Sequence, residues 1–188
     1  MHQHLLQIVT REFGLEMIEQ RSPLVLPEPV SCHPLLERLA GSTDFIYPDT
    51  NEKTRAEMIV APILIHLAVT YHLSFYSGTD FNAYLERGLT GTVDHLFSRA
   101  TPVQSTIRPP ITAVVETKSE FQGISHCLVQ MLAAQQFNLH PSIVYGAVTT
   151  GLVWRFLKLE GARITVDLTG YPLFPINPLL SLLVPMIR

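Results

Sequence analysis

The sequence predicts a mixed α/β domain: a central sheet with helices packed against it and a crossover helix in its middle. Three observations predict it. The chain has 188 residues, enough for one domain with a true core and too few for two of ordinary size. Hydrophobic residues make up 47% and charged ones 15%, a balance that favours a packed interior over disorder. Segments with helical apolar spacing alternate with short β-rich runs bounded by Gly and Pro, in the order helix, three strands, helix, strand pair.

Residues 3–20 place Leu5, Ile8, Val9, Phe13, Leu15, Met17 and Ile18 at spacings that suit a helix. Over 21–34, Pro23, Pro27, Pro29 and Pro34 restrict their own and the preceding backbone, so this segment reads as an extended connector. A short helix follows in PLLERLAG, with Gly41 as its stop. The run DTNEKTRAEMIVAPILIHLAVTYHL predicts a long helix over about 51–72, capped by Asp49, Thr50 or Asn51 and favoured by Glu52 in its first turn. Pro62 removes a donor from its middle and predicts a kink or local break.

LSFYSGTDF, GLTGTVDHLFSRA and PPITAVVETK predict three strands. Residues 119–138 return to helix spacing, with Ile124, Cys127, Leu128, Met131 and Leu132 on one stripe. SIVYGAVTTG and VWRFLKLEG predict a strand pair turning at Thr150 and Gly151, and RITVDLTGYPLF adds an extended piece. The apolar tail NPLLSLLVPMIR, interrupted by Pro178 and Pro185, reads as an arm that docks on the core or on a partner. The expected organisation is an N-terminal helical arm and Pro-rich connector over 1–49, followed by the main core over 50–188.

Composition excludes several classes. No run of about eighteen apolar residues is present, so no spanning helix is expected, and the N-terminus lacks a secretory pattern. Cys32 and Cys127 are far apart and form no CxxC, which points to a reducing cytoplasm and against a disulfide framework or a zinc knuckle. Net charge is −3, and only Lys53, Lys118 and Lys158 among the 13 basic residues are lysines, so no basic face for nucleic acid is advertised. Phosphate chemistry here would need a local charge source such as a metal ion.

An acidic constellation could hold one. Asp94 lies within GTVDHLFS, Glu116 and Lys118 end the strand ITAVVETK, and Glu57 projects from the long helix before both. Positions two apart on a strand share a face, so Thr112, Val114, Glu116 and Lys118 lie on one side. Antiparallel pairing of 91–98 with 111–118 would let Asp94 approach Glu116. Two close carboxylates repel unless one protonates or a cation lies between them, and a hard ion such as Mg²⁺ meets that need. Lys118 could then stabilise charge developing on a phosphate or orient a water. The other reading is an exposed strand end with an i,i+2 ion pair on a solvated face.

The ordered set resembles the PD-(D/E)xK, or restriction-endonuclease-like, superfamily of metal-dependent nucleases. The matching elements are Glu57 on a helix, Asp94 in GTVDHLFS, Glu116 and Lys118 in AVVETK, then a helix and the hairpin VYGAVTTGLVWRFLKLE. That hairpin is similar to the TxG-x-x-W-x-F hairpin of proteins related to the N-terminal nuclease domain of type I restriction enzymes. The stretch from TRAEMIVAPILIHLA to VWRFLKLEG is similar to uncharacterised cyanobacterial members. The resemblance covers roughly 50–168 and leaves 1–49 outside.

It implies an αβββαβ core and hydrolysis of DNA, with RNA the second choice. It implies Mg²⁺, replaceable by Mn²⁺, held by Asp94, Glu116 and the Thr117 carbonyl, with Glu57 on metal or water and Glu52 as second choice for that role. Lys118 would act on the attacking water or the phosphate. Gln130 would occupy the place of the family's Gln-centred motif on the following helix, with His126 one turn before it and Ala134 where a Tyr is frequent. No Pro precedes Asp94; Val93 is there instead. A catalytically inactive member acting as an assembly subunit is the alternative, with a homodimer formed through the N-terminal arm or the C-terminal tail.

Other chemistries lack their residues. No HxxxH or HExxH occurs, and the eight histidines, His126 excepted, read as structural or solvated. There is no GxGxxG, P-loop or GxSxG, and Ser125-His126 is mere adjacency. Trp154 and Phe156 alternate on a strand as core residues do, and Arg155 points the other way.

Overall fold

The computed structural model describes residues 2–21, 33–83, 89–101, 106–139 and 142–188. Of the predicted connector over 21–34, residues 22–32 lie outside the described residues. In chain order the elements are α1 (His2–Glu12), β1 (Glu16–Gln20), α2 (His33–Thr43), α3 (Glu52–Arg55), a π-helical turn (Ala56–Val60), α4 (Ala61–Tyr71), β2 (Ser74–Asp80), β3 (Thr92–Ser98) and β4 (Ile111–Thr117). They continue with α5 (Glu120–Phe137), β5 (Val144–Thr149), β6 (Val153–Glu160), β7 (Arg163–Asp167), β8 (Tyr171–Pro172) and α6 (Ile176–Ile187).

The strands form one mixed sheet in the order β1-β7-β6-β5-β4-β3-β2, with β8 pairing on β6. Pairs β4/β5 and β1/β7 are parallel and the others antiparallel. A parallel pair needs a crossover, and α5 supplies it between β4 and β5, as the element order predicts.

Strand alternation decides which side chains meet which helix layer. Phe97, Ala113, Val115, Ala147 and Phe156 face α2, the π turn, α4 and α6, while Leu96, Val114, Val148 and Leu157 face α5 and α1. The central strands are therefore apolar on both faces and read as nearly continuous hydrophobic runs.

Two sequence expectations need correction. Residues 3–20 are not one helix. Gly14, at φ +60, ends α1 in the left-handed conformation that glycine adopts without penalty, and 16–20 then pair with β7. Gly41 does not stop α2, which continues to Thr43. The tail takes the first of its two expected places: α6 buries Leu179, Leu180, Leu182, Leu183 and Ile187 against β4, β5 and β8, so it docks on the chain's own core. Among the described residues no helix is long and apolar enough to cross a membrane.

The break expected at Pro62 takes a specific form. A regular helix through Pro62 would press its ring on the Met58 carbonyl and leave that carbonyl without a donor. The π turn absorbs the mismatch, and Pro62 enters the first turn of α4, where a missing N–H costs little.

The layer formed by α6 generates a stability prediction. Leu180 is fully buried, so Leu180→Ala should cost about 2–5 kcal/mol in urea unfolding. Removal of 176–188 should leave no cooperative transition.

Candidate active site

All seven residues of β4 are buried, and Glu116 is 1% exposed. The β3/β4 register runs through Phe97↔Ala113, Leu96↔Val114 and His95↔Val115. One step further, side chains take over from the backbone ladder. The Thr117 N–H donates to Oδ2 of Asp94 at 2.9 Å, and the Asp94 N–H donates toward the Glu116 carboxylate. The strands part here, and both carboxylates are held by backbone donors at the fork. Lys118 follows at once and places Nζ 2.8 Å from Oε2 of Glu116. Asp94, Glu116 and Lys118 thus converge as their spacing predicts.

Glu52 joins them from α3. Asn51 caps that helix by accepting the Thr54 N–H at 2.8 Å, which fixes Glu52 in the first turn. Oε1 of Glu52 accepts from the Ser119 N–H at 3.4 Å, and its charge acts on Lys118. Glu57, the first choice from sequence, is exposed and lies 3.9 Å from Lys53, its i,i+4 neighbour. Both line the cleft, but Glu52 is the one coupled to the lysine. Gln130 is buried on α5, with its amide 3.5 Å from where a Cβ on Gly91 would lie, so it sits against the segment entering β3. It is not among the described residues lining the cleft. His126 is exposed.

Two supporting residues escaped the sequence reading. Arg55 donates to the carbonyls of Tyr47, Pro48, Thr50 and Thr150, tying α3 to the β5–β6 turn. Gly123 lets α5 approach the sheet: a Cβ there would fall 2.2 Å from Cγ1 of Val148 and 3.4 Å from Cβ of Lys118. The close approach fixes the start of α5 directly behind the lysine.

A cleft of about 380 Å³ opens at this point, lined by Glu52, Glu57, Asp94, His95, Thr117 and Lys118 among others. His95 accompanies Asp94 on β3, and nothing in the sequence sets it apart from a structural or solvated histidine. Its Nδ1 is 3.1 Å from Oγ of Ser77, and its ring stacks on Phe75 at 5.7 Å.

Burial, followed by the charge of Asp94, raises the Glu116 carboxyl to about 7 against the pull of Lys118. Burial pushes the Lys118 ammonium down, but the hydrogen bond and charge of Glu116, with Asp94 and Glu52, outweigh it and leave the ammonium held above its usual range. Burial lowers His95 to about 4, despite Asp94. Cys127 is fully buried and its thiol is pushed well up by burial, which makes it unreactive. Among the described residues no group of three or more His, Cys, Asp or Glu is arranged to hold a metal ion by itself. No protein-family model and no curated protein matches the chain.

The two shifted groups act on stability with opposite signs. Glu116, raised from 4.5 to about 7, stabilises the fold at low pH and loses that contribution as pH rises through 7. His95, lowered from 6.5 to about 4, contributes above 6.5 and loses its share as pH falls toward 4. Without divalent cations the two largely cancel between about pH 4.5 and 6.5. Urea midpoints should expose each one, over a range of about 1–3 kcal/mol. Glu116→Gln should gain stability with rising pH across that window, and His95→Asn should lose it.

Proposed function

We propose that the protein is a Mg²⁺-dependent nuclease of the PD-(D/E)xK, restriction-endonuclease-like type, hydrolysing phosphodiesters of DNA in preference to RNA. The observation that carries this reading is the meeting of Asp94, Glu116 and Lys118 at the β3/β4 fork, with Nζ of Lys118 2.8 Å from Glu116. A cytoplasmic setting fits it.

The residues suit the ion. Burial and the neighbouring Asp94 charge make the ionised form of Glu116 costly, and a cation between the two carboxylates would relieve that cost. The donors are hard oxygens. Asp94, Glu116 and the Thr117 carbonyl would hold Mg²⁺, or Mn²⁺ in its place, and water would complete a shell that Mg²⁺ characteristically keeps partly aqueous. Once bound, the ion would supply positive charge to the phosphate.

The remaining work falls to side chains. Lys118, partly exposed to the cleft and held charged by Glu116, Asp94 and Glu52, stabilises charge building on the phosphate oxygens. Glu52 also holds the Ser119 N–H and so keeps the chain after Lys118 in place. Arg55 holds α3, and hence Glu52, at the cleft. Glu57, at the mouth, is left to bind water or a cation approaching from solvent.

One observation favours an inactive assembly subunit of the same fold instead: the carboxylates already have Lys118 and two backbone N–H groups as partners. Calorimetric titration with Mn²⁺ separates the two readings, because only a catalytic site needs to bind it.

With Mg²⁺ or Mn²⁺, single- or double-stranded DNA should be cleaved. Lys118→Ala should lower the rate by about 10²–10³, and Asp94→Asn by at least as much, with the unfolding transition retained. Absence of cleavage of every DNA and RNA form, together with no heat of Mn²⁺ binding, would sink the reading.

A further inference from the structure

Two residues that line the cleft, His95 and Thr117, each carry a buried polar atom that has no part in the hydrolysis described above. His95 is 3% exposed and Thr117 4% exposed, and neither Nε2 of His95 nor Oγ1 of Thr117 has a hydrogen-bond partner among the described residues. A buried polar group left unmet costs free energy that an apolar isostere would not, so such groups in a native fold mark a ligand or an ordered water.

The two belong to one surface. His95 lies opposite Val115, and Thr117 is two positions further along β4, so they are diagonal neighbours on the same face of the sheet. Ser77 and Phe75 fix the imidazole from its other side and give Nε2 a set direction. Ala56 of the π turn, Ala61 and Gly78 form small walls, and Asp94 and Lys118 flank the opening. Short π segments inside helices are frequent at functional sites. At about 380 Å³ the space falls within the range of small-ligand sites, about 300–1,000 Å³.

Charge narrows the class of ligand. With a net charge of −3 and 13 basic residues, the chain has no surplus of cations with which to track the phosphates of a duplex. Recognition by a pocket suits it better than recognition by a groove. A nucleobase is planar and carries donors and acceptors along its edge, which is what a fixed imidazole nitrogen and a hydroxyl can read.

We propose that the cleft takes one unpaired nucleobase, its edge hydrogen-bonded to His95 Nε2 and Thr117 Oγ1 and its phosphate toward Lys118. The choice of ligand rests on the nuclease reading. It makes the substrate a strand end, a single strand or an everted nucleotide, not a closed duplex.

The test is calorimetric titration of the full chain with the four deoxynucleoside monophosphates, with deoxyribose 5-phosphate and inorganic phosphate as base-free probes. At least one nucleotide should bind about tenfold or more tighter than the base-free probes, the equivalent of one good hydrogen bond. Thr117→Val and His95→Phe should each bring that affinity down toward the base-free value. Thr117→Val should also raise the urea midpoint of the ligand-free protein, because it replaces an unmet polar group by an apolar one of similar shape. A structural role would lower it. Should His95→Phe fail to fold, the near-isosteric Thr117→Val carries the test alone.

Equal binding of nucleotides and base-free probes overturns the proposal. So does unchanged nucleotide affinity in Thr117→Val, which would assign the two atoms to ordered water, and so does a lowered midpoint in that variant. Cleavage without base-dependent binding sinks the pocket and leaves the nuclease; base-dependent binding without cleavage of any substrate does the reverse.

Discussion

Glu116 is an acid sealed inside a sheet, and the local architecture is arranged around that difficulty. Moving a carboxylate out of water is expensive, and the nearby charge of Asp94 adds to the cost. Lys118 and the Asp94 N–H return part of it, enough to leave the group poised near neutrality but not fully ionised. A surface pair of the same composition would be solvated, mobile and worth little. Burial is what gives this pair a defined geometry and an affinity for positive charge.

That geometry depends on what lies behind it. β4 is covered on one face by α6 and on the other by α5, so the strand that carries Glu116 has no freedom to relax. Gly123 removes the Cβ that would hold α5 away from Val148 and Lys118. Arg55 performs the same service for α3 through four backbone carbonyls. Positioning residues of this kind touch nothing reactive, yet they set where Glu52 and Lys118 lie.

The cleft has two chemical sides, and strand alternation explains why. Glu116 belongs to the face covered by α5, whereas His95 and Thr117 belong to the opposite face, toward the π turn and α4. Asp94 and Lys118 line the cleft beside His95 and Thr117, so charged and neutral side chains become neighbours there, while Glu116 is not among the described residues lining it. A phosphate and a base, joined in one nucleotide, present the same division.

Much of this was legible in the residues. The β-branched run ending in Glu116-Thr117-Lys118 predicted a strand with an acid and a lysine on one side, and Asp94 one strand earlier allowed their meeting, because pleat and antiparallel pairing are local rules; burial of the acid was not written there, since an exposed strand end fitted the same residues. The helix over 119–138 and the hairpin turning at Thr150 and Gly151 were likewise written in spacing and turn chemistry. The strand at 16–20 was not: its apolar residues continue a helical spacing, and only the left-handed Gly14 and a partner strand 147 positions away in sequence convert it. Glu52 outranks Glu57 for a similar reason, since propensity places both on one helix but the sheet alone decides which of them faces Lys118. His95 read as a structural or solvated histidine because nothing in its own neighbourhood of the chain reveals a buried nitrogen. The sequence by itself determined the layers, the β4 carboxylate and its lysine, through periodicity that each segment carries alone. The tertiary structure decided which acid joins them and which buried polar atoms lack partners among the described residues, because those depend on contacts between segments distant in the chain.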